Sequence, residues 1–265
     1  MLILGLIVLA GGAAAQEESK EALAKAAQNP VASMMSFPFQ NNVNFGVGPY
    51  DRTQYVMNFQ PVIPFRLSEN WNLITRTIIP VLYQPDAWAP TGSTGGVGDI
   101  QASFFLSPAK AGKLIWGAGP VIQFPSGTDP MISQGAWGLG PTFVALTMPG
   151  HWVIGGLVNN LWSVGGQEGR PDVNQFLFQY FVNYNMKDGW YVSVSPIITA
   201  NWKAGEGERW TVPFGGGFGK IFKLGKVPVN GSAALYYNAV TPESTGARWS
   251  MRLQLTLLFP AGGKK

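Results

Sequence analysis

From Arg248 to Phe259 every second side chain is large and apolar. Trp249, Met251, Leu253, Leu255, Leu257 and Phe259 alternate with Ser250, Arg252, Gln254, Thr256 and Leu258. A period of two puts the sets on opposite faces of an extended strand, so one face is oily from end to end. The stretch is as long as a strand that crosses a bilayer at a tilt, roughly 9–11 residues, and aromatic residues close both ends of its apolar row. Alone, it fits one face of a soluble sandwich strand equally well. The rest of the chain decides.

The same period runs back to Phe37. Tyr55, Met57, Phe59, Pro61, Ile63, Phe65 and Leu67 share one face. After the turn Ser68-Glu69-Asn70, so do Trp71, Leu73, Thr75, Thr77, Ile79, Val81 and Tyr83. Trp190 to Trp202 is the sharpest case, with a tryptophan at each end of an apolar row, as in the aromatic girdles of membrane barrels. About twelve such strands fill the chain. Tight connections (Ser68 to Asn70, Pro108 to Gly112, Met148 to His151, Lys187 to Gly189, Lys223 to Lys226) alternate with mostly longer ones around Tyr50, Thr91, Thr128, Gln167, Glu206 and Ser244. Pro85 to Gly98 reads as one of the long loops. This arrangement predicts an all-β fold: a transmembrane antiparallel up-and-down β-barrel of about twelve strands, short periplasmic turns opposite long outer loops. The girdle would be Trp71, Tyr83, Trp116, Trp137, Trp152, Trp162, Trp190, Trp202, Trp210, Trp249 and Phe259.

Composition agrees. The 265 residues include 34 glycines and 20 prolines at short intervals, and only 12% are charged. Turn residues at that density favour strands over helices. No run of about eighteen apolar residues suits a spanning helix. Lack of cysteine excludes a disulfide framework and thiolate chemistry. A net charge of +4, scattered along the chain, gives no nucleic-acid footprint. Prolines within strands each remove a ladder hydrogen bond.

Residues 1–15 resemble a secretory signal, with an apolar run from Leu2 to Ala10 and cleavage after Ala15, although a positive n-region is missing. Residues 16–36 form a leader whose first part, Glu17 to about Gln28, is rich in helix formers and pairs Glu21 with Lys25 at i, i+4. Asn29-Pro30 interrupts it, and Val31 to Met35 would add one turn. The leader either plugs the barrel or lies outside it in the periplasm. Residues 37–259 are the outer-membrane barrel and 260–265 a periplasmic tail, so both termini would be periplasmic.

Lysines 110, 113, 187, 220, 223 and 226 fall at the short-turn end, whereas Asp51, Asp86, Asp129, Glu168, Asp172, Glu206, Glu208 and Glu243 fall in the long loops. The charges left for the wall, Arg66, Arg76, Asp99 and Arg252, share the face opposite the apolar row. A charge facing lipid near the midplane costs ~2–4 kcal/mol, which assigns them to the lumen together with Gln60, Gln123, Gln175, Gln179 and Asn183. That lumen would be polar and slightly cationic; the alternative is that its arginines merely brace the wall through Gln and Asn partners.

Asn29-Pro30-Val31-Ala32-Ser33, Phe39-Gln40-Asn41-Asn42, Gln60-Pro61-Val62-Ile63-Pro64, Trp71 to Thr77, Gly96 to Ile100, Asn160 to Val164 and Trp210-Thr211-Val212-Pro213 together resemble a family of Gram-negative outer-membrane proteins. Its members are labelled transporters or components of the MetA pathway of phenol degradation, sometimes misleadingly neuromedin U. The resemblance implies a barrel and a transport role and supplies no site residues.

Catalysis has little to build on. His151 is the single histidine and falls in a predicted turn. Asp86 and Asp99 sit in a glycine-rich stretch without an evident base or metal partner, and the 215–219 glycines lack a phosphate-loop setting. The expectation is no enzyme, no cofactor and no metal. Two functions remain: passive diffusion of small solutes through a narrow lumen, or an occluded barrel serving as a structural or assembly component. Expected partners are outer-membrane lipid and lipopolysaccharide, the barrel-assembly machinery through the C-terminal strand, and a second copy or another envelope component.

Overall fold

The computed structural model describes residues 20–110, 112–170 and 172–260. The signal segment, the first leader residues and the tail beyond Pro260 lie outside the described residues.

Twelve strands form one closed antiparallel barrel. They are β1 (Met34–Val47), β2 (Arg52–Phe59 and Val62–Arg66), β3 (Trp71–Pro85), β4 (Ser93–Val97 and Ile100–Pro108), β5 (Ile115–Phe124) and β6 (Ala136–Thr147). The second half is β7 (Trp152–Gly166), β8 (Asn174–Asn185), β9 (Trp190–Val194 and Ile197–Asn201), β10 (Trp210–Leu224), β11 (Val227–Val240) and β12 (Trp249–Pro260). Each strand pairs with the next, and β12 returns to β1 from Met34 opposite Pro260 to Phe45 opposite Trp249. Closure leaves no sheet edge to aggregate. Connections 67–70, 109–114, 148–151, 186–189 and 225–226 sit at the end holding both chain termini, here the terminal end; the other six, mostly longer, form the loop end.

Three strands are interrupted, each for a local reason. The breaks in β2 and β9 fall at Gln60-Pro61 and Ser195-Pro196, where proline has no N–H to donate, although Pro80, Pro120 and Pro213 are carried inside unbroken strands. Gly98-Asp99 breaks β4 and shifts its register against β3 by one residue. Between Ser193 and Thr199, β9 forms no residue pairs with β10 among the described residues.

Two expectations need correction. The Pro85 to Gly98 stretch is not all loop: Ser93–Val97 pairs with β3 from Val81 opposite Val97 to Pro85 opposite Ser93. Its glycines obscured the pattern, and a Cβ at Gly96 would displace the Thr128 hydroxyl, which accepts from the Val97 N–H at 3.1 Å. Val31 to Met35 is not a further helical turn either, since β1 already begins at Met34.

The barrel is inside out relative to a water-soluble protein. Phe65, Val164, Val192, Phe214, Phe218, Leu235 and Leu253 stand exposed on its outer face, whereas Gln40, Gln60, Gln123, Thr142, Asn230 and Thr256 are buried within. Outward aromatic pairs band both ends. Trp71 with Trp116 and Trp152 with Tyr184 lie at the terminal end; Phe124 with Trp137, Trp202 with Trp210 and Tyr237 with Trp249 lie at the loop end. Trp162 and Tyr83 are exposed on the outer face, and Phe259 packs edge-on against Phe37.

Candidate functional site

The interior has two unlike walls. Several inward positions of β3 to β8 near the terminal end are apolar: Ile74, Phe105, Val144, Leu146, Val153, Leu157 and Phe181 form one buried cluster with Val62 of β2 and with Val31 of the leader. Inward positions of β9 to β12 and β1 are polar, among them Ser193, Asn230, Ser232, Gln254, Gln40 and Asn42.

The leader enters the terminal mouth. Residues 20–27 are helical, with Lys25 Nζ 2.9 Å from Glu21 Oε1, as the spacing predicts. Ala24 is fully buried against Ile221 and Leu258, both inward-facing. Asn29 then turns the chain, its Oδ1 accepting from the Val31 N–H at 2.9 Å, and Val31 drops into the apolar wall. Polar contacts hold the helix to the rim: Gln28 Nε2 donates to Asn185 Oδ1 (2.9 Å), His151 Nδ1 lies 3.0 Å from Glu21, and Lys20 lies 3.7 Å from Asp188.

Above that floor a cavity of about 190 Å³ is lined by Ala27 to Pro30 of the leader and by Gln60, Val62, Arg76, Leu157, Gln179, Phe181, Asn183 and Arg252. A second cavity, of about 410 Å³, continues towards the loop end and shares Gln40, Tyr236 and Arg252 with the first. A third, of about 520 Å³, shares Thr199, Thr211, Pro242 and Thr245 with the second. The β11–β12 loop narrows this outer mouth. Glu208 pins it by accepting from the Ser244 N–H (2.9 Å) and hydroxyl (2.7 Å). Together the cavities form a string of chambers from the loop end to the leader.

Arg252 stands at the junction of the inner two chambers. Its Nη1 donates to the Ser195 carbonyl at 3.0 Å and its Nε to Asn42 Oδ1 at 3.2 Å, while its guanidinium lies over the Tyr236 ring. The break in β9 leaves that carbonyl without a ladder partner, and a buried carbonyl needs one. Arg76, in the same inner chamber, donates from Nη2 to Gln60 Oε1 at 2.6 Å. Among the described residues neither arginine is ion-paired to a carboxylate.

The other residues singled out in the sequence fall at several levels. Gln179 donates to the Ser195 hydroxyl at 2.9 Å, and Asn183 is buried against the inner chamber with Oδ1 unpartnered. Gln175 lines the outermost chamber. Gln123 is buried, accepting from Gln101 at 3.0 Å and donating to Gln134 at 3.2 Å. Two charges lie elsewhere than expected. Arg66 is exposed at the terminal rim, its Nε donating to the Ser68 carbonyl at 3.3 Å. Asp99 is committed to a loop, accepting from Gly127 N (3.0 Å), Ser133 Oγ (2.7 Å) and Gln134 N (2.6 Å). Asp99 sits where a strand breaks, so alternation does not decide where its side chain goes; Arg66 keeps the lumen-side register of Val62, opposite Asn72, and reaches the rim because its strand ends there. Sequence reasoning missed the inward apolar wall and Tyr236. The signal for the wall was Ile74, Phe105 and Leu146 on the face otherwise taken by polar residues.

No family model matches the sequence, and no curated protein does. Among solved structures, an outer membrane channel from Pseudomonas putida F1 is similar at a TM-score of 0.65 and 14% identity, covering 85% of this chain and 94% of that one. The NanC porin is similar at a TM-score of 0.54 and 9% identity, covering 84% of this chain and 98% of that one. These likenesses establish a shared barrel fold.

Proposed function

We propose that the protein is an outer-membrane channel for small polar solutes. The observation that carries this reading is the string of polar-lined chambers, with Arg252 at the junction of the inner two and Arg76 in the innermost, inside a barrel whose outside is apolar and banded by aromatic residues. A surface of that kind is solvated by acyl chains. The terminal end faces the periplasm, the loop end meets lipopolysaccharide, and the Trp249 to Phe259 strand engages the barrel-assembly machinery. Positive charge in a narrow passage favours anions over cations. Passage is passive, by diffusion down the solute's own gradient. Similar channels of the outer membrane, including the one from Pseudomonas putida F1, support the reading.

A second reading has one observation in its favour: the leader occupies the terminal mouth, as a barrel with a structural or assembly role would permit. Planar-bilayer recording of the refolded mature protein, with and without residues 16–30, separates the two. The channel reading expects discrete conductance steps, larger without the leader, and a reversal potential under a salt gradient that shows anion preference. Absence of steps in both forms would establish the occluded barrel instead.

A further inference from the structure

The inner chamber has the chemistry of a binding site as well as of a passage. A guanidinium carries five N–H donors. Arg76 spends one bond on Gln60, and Arg252 spends its two on Asn42 and Ser195, so donors of both remain for the space between them. Two like charges in one small cavity repel, more strongly than they would in bulk water, and an anion between them turns that repulsion into attraction. The guanidinium fork matches a planar carboxylate. Leu157 and Phe181, on strands away from both arginines, offer apolar contact in the same chamber, and Val62 is the cross-strand neighbour of Arg76. We propose that the chamber holds a small carboxylate with a short apolar body, its carboxylate between Arg76 and Arg252 and its body against Phe181 and Leu157. The volume of about 190 Å³ limits the ligand to roughly the size of a single ring. This deepens the channel reading and rests on it only for the route of entry.

The site is testable without any conductance measurement. The mature protein, leader included, is titrated in detergent micelles with 4-fluorobenzoate and followed by ¹⁹F NMR, beside the uncharged analogue 4-fluorobenzyl alcohol. The proposal expects saturable binding of the benzoate, at least about tenfold weaker binding of the alcohol, and a similar loss in an Arg76→Gln/Arg252→Gln double variant. The comparison between the two ligands uses the unaltered protein, so it stands even if the double variant does not fold. Equal binding of acid and alcohol, undiminished benzoate binding in a folded double variant, or no saturable benzoate binding would each overturn the site. None of these would touch the channel reading, which conductance tests separately.

Discussion

Gln28, at the end of the leader helix, donates from its side chain to Asn185 Oδ1 on the wall at 2.9 Å, and Asn185 in turn donates to the His151 carbonyl at 3.0 Å. One strand residue thus ties the plug to a turn of the rim. A hydrogen bond of this kind contributes about 0.5–1.5 kcal/mol, so Gln28→Ala should raise the undocked fraction of the leader roughly two- to tenfold. Trypsin cleavage at Lys20 and Lys25 in micelles reads that fraction directly; an unchanged cleavage rate would show that the remaining contacts of the leader hold it without Gln28.

Acid should loosen the same element. The hydrogen bond from Lys25, opposed by partial burial and joined by the positive charges of Lys25 and His151, holds the Glu21 carboxyl below its ordinary value of 4.5. Lys25 lies on the same helix, so only the part of the lowering that comes from His151 on the rim links the charged carboxylate to docking, and that part fades as pH falls through the lowered value. The pair lies at the rim, and its contribution is at most about 1 kcal/mol. Ala22, the next residue along the helix, is exposed and takes a probe without disturbing the docked face. A spin label on Ala22→Cys should become more mobile in that acid range, and the added substitution Glu21→Gln should remove the pH dependence.

Much of this architecture was legible because a membrane barrel writes its two faces into alternate residues. The strands from Tyr55 to Leu67, Trp71 to Tyr83 and Trp190 to Trp202, the sorting of connections, and the Glu21–Lys25 pair all follow from local spacing. What escaped depends on contacts between distant segments. Val31 meets Ile74 and Phe105 only once the barrel has closed around the leader. The partnership of Arg252 with Ser195 needs three intervening strand pairings and a proline that frees a carbonyl. Asp99 looked like a wall charge because a break in the strand carries no mark in the alternation, although Gly98 beside it was a hint. The phenol-degradation label rests on short motifs and has no support from the comparisons.

Facing decides cost along a single strand. Val158 points outward between Phe143 and Phe178, whereas Asn159, one residue on, lines the outermost chamber. Val158→Arg should lower stability by ~2–4 kcal/mol if it lies near the bilayer midplane, and Asn159→Arg by less than about 1 kcal/mol. Denaturant unfolding in lipid vesicles, followed by tryptophan fluorescence, compares the two; equal penalties would place both residues in the same environment.

The same contrast tests the passage itself. The chain has no cysteine, so an introduced thiol is unique. In planar bilayers, a negatively charged, membrane-impermeant methanethiosulfonate is applied to leader-deleted channels carrying Arg252→Cys or, one residue away on the outer face, Leu253→Cys. Current through the Arg252→Cys channel should fall within the exposure, and current through the Leu253→Cys channel should stay constant. A current that is blocked at Leu253→Cys, or unaffected at Arg252→Cys, would contradict a solute path through the interior of the barrel.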